Sequence, residues 1–259
     1  MTFAPMPTAE MPLVSIVTPV LNGARFLAEL LESVRLQDHP RVEHVVVDGG
    51  STDGTLDLLR RAPGVVWVSG PDRGMYDAVG RGFDLARGEI LAYQNADDRY
   101  VVPGAVSAAV RHLGAHPEAD VVYGDFRFID EAGRALRRPA PGRDFSLAAL
   151  RRYNFVPPHA AFVRRRVLEA GYRPDPSLRY AGDWEWFLGM ARAGKRFEHV
   201  PAVLAEFRLH PRAQTRTVPW RAKVAEWRRI CARHQASLPL LLWYEGVWGP
   251  LRRRLGLKV

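Results

Sequence analysis

The chain has 259 residues, 47% of them hydrophobic and 10% aromatic, enough for one large or two small packed domains and incompatible with a disordered chain. A single cysteine, Cys231, excludes an internal disulfide and paired-thiol redox chemistry, and no Cys/His spacing suggests a zinc site. The net charge of +9 is concentrated beyond residue 218, where nine basic residues face two acidic ones; without a nucleic-acid motif beside it, this charge does not indicate a nucleic-acid partner.

In chain order, the β-branched run 14–20 predicts a strand, and Phe26, Leu27, Leu30, Leu31 and Val34 predict a helix after the turn at Asn22 and Gly23. The pattern repeats with a strand over 42–47, a glycine-rich loop 48–54 and a helix over 55–61. A third strand over 65–68, the loop 70–74 and a helix from about 75 to 86 lead to the central stretch 89–99. Strands alternating with helices of this length predict a parallel sheet with right-handed crossovers. Past this stretch come a helix around Val106, Val110 and Leu113, a strand over 120–129 and a turn at 130–133. The rhythm then fails at Pro139, Pro141, Pro157 and Pro158, after which a strand over 160–163, a short helix over 167–170, a helix over 182–193 and an extended segment over 197–209 are expected.

The central stretch carries the chemistry: Ile90 to Tyr93 suit a strand covered on both faces, and it stops at Asp97 and Asp98, where open α/β sheets place their ligands. Paired carboxylates there suit a hard divalent cation that keeps positions open for water and phosphate, although Asn and Asp also favour plain turns. Asp48, at another strand end before two glycines, suits a base or ribose donor or, equally, a helix-capping loop. Arg73, between Asp72 and Gly74, suits a phosphate or base carbonyl. Neither a P-loop nor a dinucleotide glycine pattern is present. Asp183 opens the helix over 182–193, where an acid is stabilised as the anion a general base requires; an ordinary N-cap is the alternative. His159 reads as a structural histidine, and Trp184, Trp186 and Phe187 read as core with one of them at most meeting sugar.

From residue 12 to 210 the chain resembles family 2 glycosyltransferases of the GT-A fold. The resemblance is carried by VSIVTPVLNG (14–23), VDGGSTDGT (47–55), PDRGMYDA (71–78), NADD (95–98), PHAAFVRR (158–165) and AGDWE (181–185). It implies a Rossmann-like, mostly parallel sheet with flanking helices, and inverting transfer of a sugar from a nucleotide diphosphate, UDP in the first instance, to a saccharide or polyprenyl-linked hydroxyl. By position, Thr18, Pro19, Asp48, Arg73 and Asp97 match donor-binding residues, Asp98 matches the principal ligand of Mn2+ or Mg2+, and Asp183 matches the catalytic base; His210, near the end of the matching region, is a candidate for contacting the metal or diphosphate, with a structural histidine as the alternative. Leu21 stands where relatives often carry an aromatic residue, and Gly80 where Asn is common. A catalytically silent GT-A domain acting as a binding or scaffold subunit is the alternative.

The resulting division is an N-terminal extension (1–12), a catalytic domain (13–218, with a donor half to 125 and an acceptor half from 126) and a C-terminal tail (219–259). No signal peptide or spanning segment is recognised, so a cytoplasmic location is expected. In the tail, Trp220, Val224, Trp227 and Ile230 recur at helical spacing with arginines elsewhere around the helix. With 240–244 and 252–254, this pattern suggests peripheral attachment to the inner face of a membrane, against the alternative that the stripe packs on the catalytic domain.

Overall fold

The computed structural model describes residues 11–101, 103–136 and 142–237. Residues 1–10 of the expected extension, Pro139 and Pro141, and the segments 240–244 and 252–254 lie outside them. Four parallel strands, β1 (Val14–Val20), β2 (Val42–Asp48), β3 (Val65–Ser69) and β4 (Ile90–Tyr93), are joined through helices α1 (Leu27–Arg35), α2 (Thr55–Arg61) and α3 (Met75–Leu85). Every residue of β1 and β4 is buried, which is why these strands read as continuous apolar runs rather than alternating ones.

The second half comprises β5 (Arg99–Tyr100), α4 (Ala105–Ala115), β6 (Val121–Ile129), α5 (Leu147–Leu150), a 3-10 turn at Pro158–Ala160, β7 (Ala161–Arg164), α6 (Arg165–Glu169), α7 (Gly182–Arg192), β8 (Phe197–Arg208), α8 (Gln214–Thr217) and α9 (Trp220–His234). All eight strands join one sheet in the order β3-β2-β1-β4-β7-β6-β8-β5. β7 enters antiparallel between β4 and β6, and this is where the βα rhythm of the sequence breaks. The order reverses around β1, which has β2 on one side and β4 on the other, and this places a topological switch point at the C-terminal ends of these strands.

Alternation along each strand divides the core into two layers. Val17, Val45 and Leu91 pack with Phe83 of α3 and Trp186 and Phe187 of α7, whereas Ile16, Val46 and Ile90 pack with Leu27, Leu30 and Leu113. Each such buried side chain contributes about 1.5–3 kcal/mol. The tail helix α9 belongs to the first layer: Trp227 and Ile230 are buried there, and Trp227 meets Tyr180 edge-on with ring centroids 5.8 Å apart.

This assigns the expected basic amphipathic helix a different role. Trp227 and Ile230 of its apolar stripe pack on the domain, whereas Trp220 stays 41% exposed, and Arg229 and Arg233 bond to the domain as well. Arg233 bridges Glu185 at 2.7 Å and Asp175 at 3.2 Å, and the Glu226 carboxylate accepts the N–H groups of Arg179, Tyr180 and Ala181, which lead into α7. The packed face of α9 is therefore not available to a lipid surface, and residue 219 does not mark the end of the domain's packing. Among the described residues, no helix is long and apolar enough to cross a membrane.

Candidate functional site

Three loops leave the C-terminal edge of the parallel strands, and the end of β8 and the N-terminus of α7 face them. They enclose a cleft of about 680 Å3 lined by residues such as Pro19, Leu21, Asp72, Asp97, Asp183 and His210. In the loop after β2, Gly50 takes φ +93°, a conformation open to glycine, and the chain turns its own N–H groups back onto Asp48. Asp48 Oδ2 accepts from the N–H groups of Gly50 and Ser51, both at 3.0 Å, and from the Ser69 hydroxyl at 2.6 Å. Burial alone would raise the pKa of this carboxyl, but Ser51, Ser69 and the two N–H groups outweigh it and hold it below the usual range. Asp48 Oδ1 is buried without a partner.

At the end of β4, the two adjacent acids face different ways. Asp97 lines the cleft, and its Oδ2 lies 2.8 Å from His210 Nε2. Asp98 is 1% exposed; its Oδ1 accepts the Arg208 N–H at 2.9 Å and its Oδ2 accepts from Asn95 Nδ2 at 3.0 Å. Burial and the neighbouring Asp97 push the Asp98 carboxyl well above the usual range. Arg208, itself fully buried, donates to the Asp97 carbonyl at 2.8 Å, pairs with Glu29 and lies over the Phe26 ring. Asp98, the expected principal metal ligand, is not among the residues lining the cleft, and each of its oxygens accepts one hydrogen bond from the fold, whereas Asp97 presents its carboxylate to the cleft. Asp97 and His210 form a carboxylate–imidazole pair that suits a divalent cation, and the buried His210 Nδ1 has no partner. A separate donor group, His116, Glu118 and Glu198, lines neither cleft.

Further expected donor-binding residues lie outside the cleft lining. Thr18 is buried in β1 with its hydroxyl 3.0 Å from His44 Nε2 and, like the fully buried Asp48, is not among the residues lining the cleft, whereas Pro19 is. Arg73 is 74% exposed and bridges Asp77 at 2.6 Å, one turn along α3, while its neighbour Asp72 lines the cleft. Leu21, 61% exposed, lies on the cleft wall as an apolar surface.

Asp183 stands on the second residue of α7. The helix starts from Ala181 without a side-chain cap, so the N-cap alternative fails. A Cβ on Gly182 would lie 2.6 Å from the Tyr76 ring, so only glycine lets α7 approach close enough for Tyr76 Oη to sit 3.1 Å from Asp183 Oδ1. Asn154 Nδ2 donates to Oδ2 at 2.9 Å. Burial raises the Asp183 carboxyl to about 6, and the N–H groups of Trp184 and Asp183, Tyr76 and Asn154 only partly offset it. The helix terminus therefore does not dominate, contrary to expectation; desolvation does.

Asp183 also borders a second cleft of about 740 Å3, walled by Phe126, Phe128, Tyr153 and Phe155. Of the residues shared by the two clefts, Asp183 is the single carboxylate. His159, expected to be a structural histidine, is shared as well; its signal was a histidine directly after two prolines at a strand start. Trp184 and Trp186 are buried and donate their indole N–H groups to the carbonyls of Leu150 and Tyr172, so they belong to the core, and Trp184 reaches the second cleft's wall.

The Glycosyl transferase family 2 profile matches residues 15–171, more than half of the chain. A "PGL/p-HBAD biosynthesis glycosyltransferase" of Mycobacterium bovis is 40% identical over 119 residues, 44% of this chain and 46% of the relative, so this chain spans about half the length of that relative. An uncharacterized glycosyltransferase of Mycobacterium tuberculosis is 35% identical over 203 residues, 76% of this chain and 75% of the relative. Among solved structures, Staphylococcus aureus TarS 1–349 in complex with UDP-GlcNAc aligns with a TM-score of 0.71 at 16% identity, over 88% of this chain and 68% of that one. The mannosyltransferase PcManGT from Pyrobaculum calidifontis, in complex with GDP-Man and Mn2+, aligns with a TM-score of 0.61 at 25% identity, over 88% and 63%. The fold is GT-A.

Proposed function

The chain belongs to glycosyl transferase family 2, and we propose that it transfers a sugar, with inversion, from a nucleotide diphosphate donor in the first cleft to a hydroxyl presented from the second. The observation that carries this reading is the position of Asp183, the one carboxylate common to both clefts, held near a pKa of about 6 and therefore a competent proton acceptor at neutral pH. A single displacement needs one base next to the acceptor and stabilisation of the leaving diphosphate on the donor side, and Asp183, bordering both clefts, and Asp97, in the first, support these two roles.

The base of the donor is read from Asp48. Its carboxylate, fully buried behind the residues that line the cleft, is held as the anion with one oxygen saturated and one unpartnered, and that free oxygen suits a ring that reaches it with a single N–H donor between carbonyls, as uracil has. Guanine offers two adjacent donors and would require both oxygens. Pro19 and the exposed Leu21 give an apolar surface against which the base lies. Asp97 and His210 are the pair that would hold Mn2+ or Mg2+, and such an ion neutralises charge on a departing diphosphate. Asp183 takes the proton of the attacking hydroxyl; Tyr76 and Asn154 fix the orientation of its two oxygens.

Thermal stabilisation by UDP and GDP, each with and without Mn2+, tests this reading. UDP with Mn2+ is expected to stabilise most, and the order reversed in favour of GDP would overturn the assignment of the base.

A further inference from the structure

The second cleft is walled in a way that a plain sugar does not require. Phe126 and Phe128 stand two residues apart on one face of β6, and Phe207 is the register partner of Phe128 on β8. Their rings meet edge to face, with centroids 5.1 Å apart for Phe126 and Phe128 and 5.8 Å for Phe128 and Phe207. All three stay partly open to the cleft instead of being covered by core, and Tyr153 and Phe155 face it from the 152–158 segment. Polar groups gather at the Asp183 end. There, His159 is 4% exposed with both ring nitrogens buried and unpartnered, and Asn154 Oδ1 is unpartnered too. Burial holds the His159 ring neutral, with its pKa lowered to about 3, so it retains one donor and one acceptor nitrogen. A buried polar group without a partner is costly, and ligand hydroxyls at this corner would satisfy it.

Resting on the reading of Asp183 as base, we propose that the acceptor carries an aromatic ring: a hydroxyl compound, such as an aryl glycoside, whose polar end lies at Asp183 and His159 and whose aryl group lies among Phe126, Phe128 and Phe207. The rings offer edges and faces to a flat aromatic partner, which gains from ring–ring geometry beyond the apolar burial that an alkyl chain shares. His159 is the positioning residue for the ring that bears the accepting hydroxyl.

The test titrates the full-length protein with phenyl, octyl and methyl glycosides of glucose, mannose and rhamnose, comparing aglycones within each sugar. For at least one sugar, the phenyl glycoside is expected to bind about tenfold more tightly than its methyl and octyl counterparts. Phe128→Ala removes that preference while UDP binding stays unchanged, and Tyr153→Ala, on the opposite wall, reduces it; His159→Gln weakens the three aglycones alike. Equal binding of phenyl and methyl glycosides, octyl matching phenyl, no binding by any phenyl glycoside, or a preference that survives both wall variants overturns the proposal. UDP stabilisation measured on the same protein keeps the two readings apart, because a failed donor cleft leaves the aglycone comparison intact.

Discussion

Asp183→Asn separates chemistry from stability, and the structure gives both signs. The Asp183 carboxyl rises from an ordinary 3.8 to about 6 in the folded chain. A group raised in this way favours the fold while protonated; that contribution is fully present below pH 4 and is lost as the pH rises through about 6. At 1.36 kcal/mol per pH unit, holding the anion in its desolvated place costs about 3 kcal/mol at pH 7, an upper bound because one edge of the side chain faces the cleft. Asparagine removes that charge at nearly constant volume. Its oxygen can still accept from Tyr76, and its amide would oppose the amide of Asn154, which now donates to Asp183. A flip of Asn154 resolves the conflict, because its Oδ1 is buried and unpartnered and becomes the acceptor. The variant is therefore expected to be more stable than the parent by about 1–2 kcal/mol at pH 7 and equal to it near pH 4. It should bind UDP as the parent does and lose about two to four orders of magnitude in transfer. Denaturant unfolding at both pH values, UDP titration and UDP-release kinetics measure the three quantities. In the parent, kcat/KM should fall as the pH drops through about 6. A stability difference that does not change with pH, or turnover reduced by less than about tenfold, would refute the assignment of Asp183 as a desolvated base.

The acids at the end of β4 should respond in opposite ways. Asp97→Ala abolishes Mn2+ binding in the presence of UDP, read from the Mn2+ resonance signal, with little change in stability. Asp98→Ala strands the Arg208 N–H and Asn95 amide and destabilises by about 1–3 kcal/mol; intact Mn2+ binding in Asp97→Ala would return the role to Asp98. Asp48→Asn should weaken UDP about tenfold or more while sparing Mn2+ binding, and equal affinity in calorimetry would remove it from the base pocket. Glu226→Ala leaves three N–H groups at the start of α7 without their acceptor and should cost about 2 kcal/mol or more, with turnover falling as Asp183 loses its support; an unchanged melting temperature would contradict the packed position of α9.

The parallel half of the fold was legible because its signals are local. A strand buried on both faces must be apolar throughout, and the glycines and carboxylates that end it stand beside it in sequence. What the sequence did not resolve is direction. Asp97 and Asp98 are adjacent and chemically identical, and the group that tells them apart is the backbone N–H of Arg208, on a strand that arrives only after the chain has crossed the sheet. Thr18 and Pro19 differ by one step of the strand alternation, and His44 on β2 fixes which of them turns inward. Arg73 found a partner four residues along its own helix, an interaction available at every helix start and hard to distinguish from a ligand site by composition.

His159 and α9 show the same limit from opposite sides. The histidine had no polar neighbour in sequence to give it a role, and its position follows from the packing of β6, β7 and β8 around the turn that carries it. The tail helix announced its apolar stripe plainly, but periodicity defines a face without naming its cover, and Glu226, within that helix, shows what the cover does. Its carboxylate holds the backbone that leads into α7, and Asp183 follows two residues after the last N–H it accepts. The segment that looked most separable from the chemistry thus orients the start of α7, and changes in α9 should be felt first in the position of Asp183.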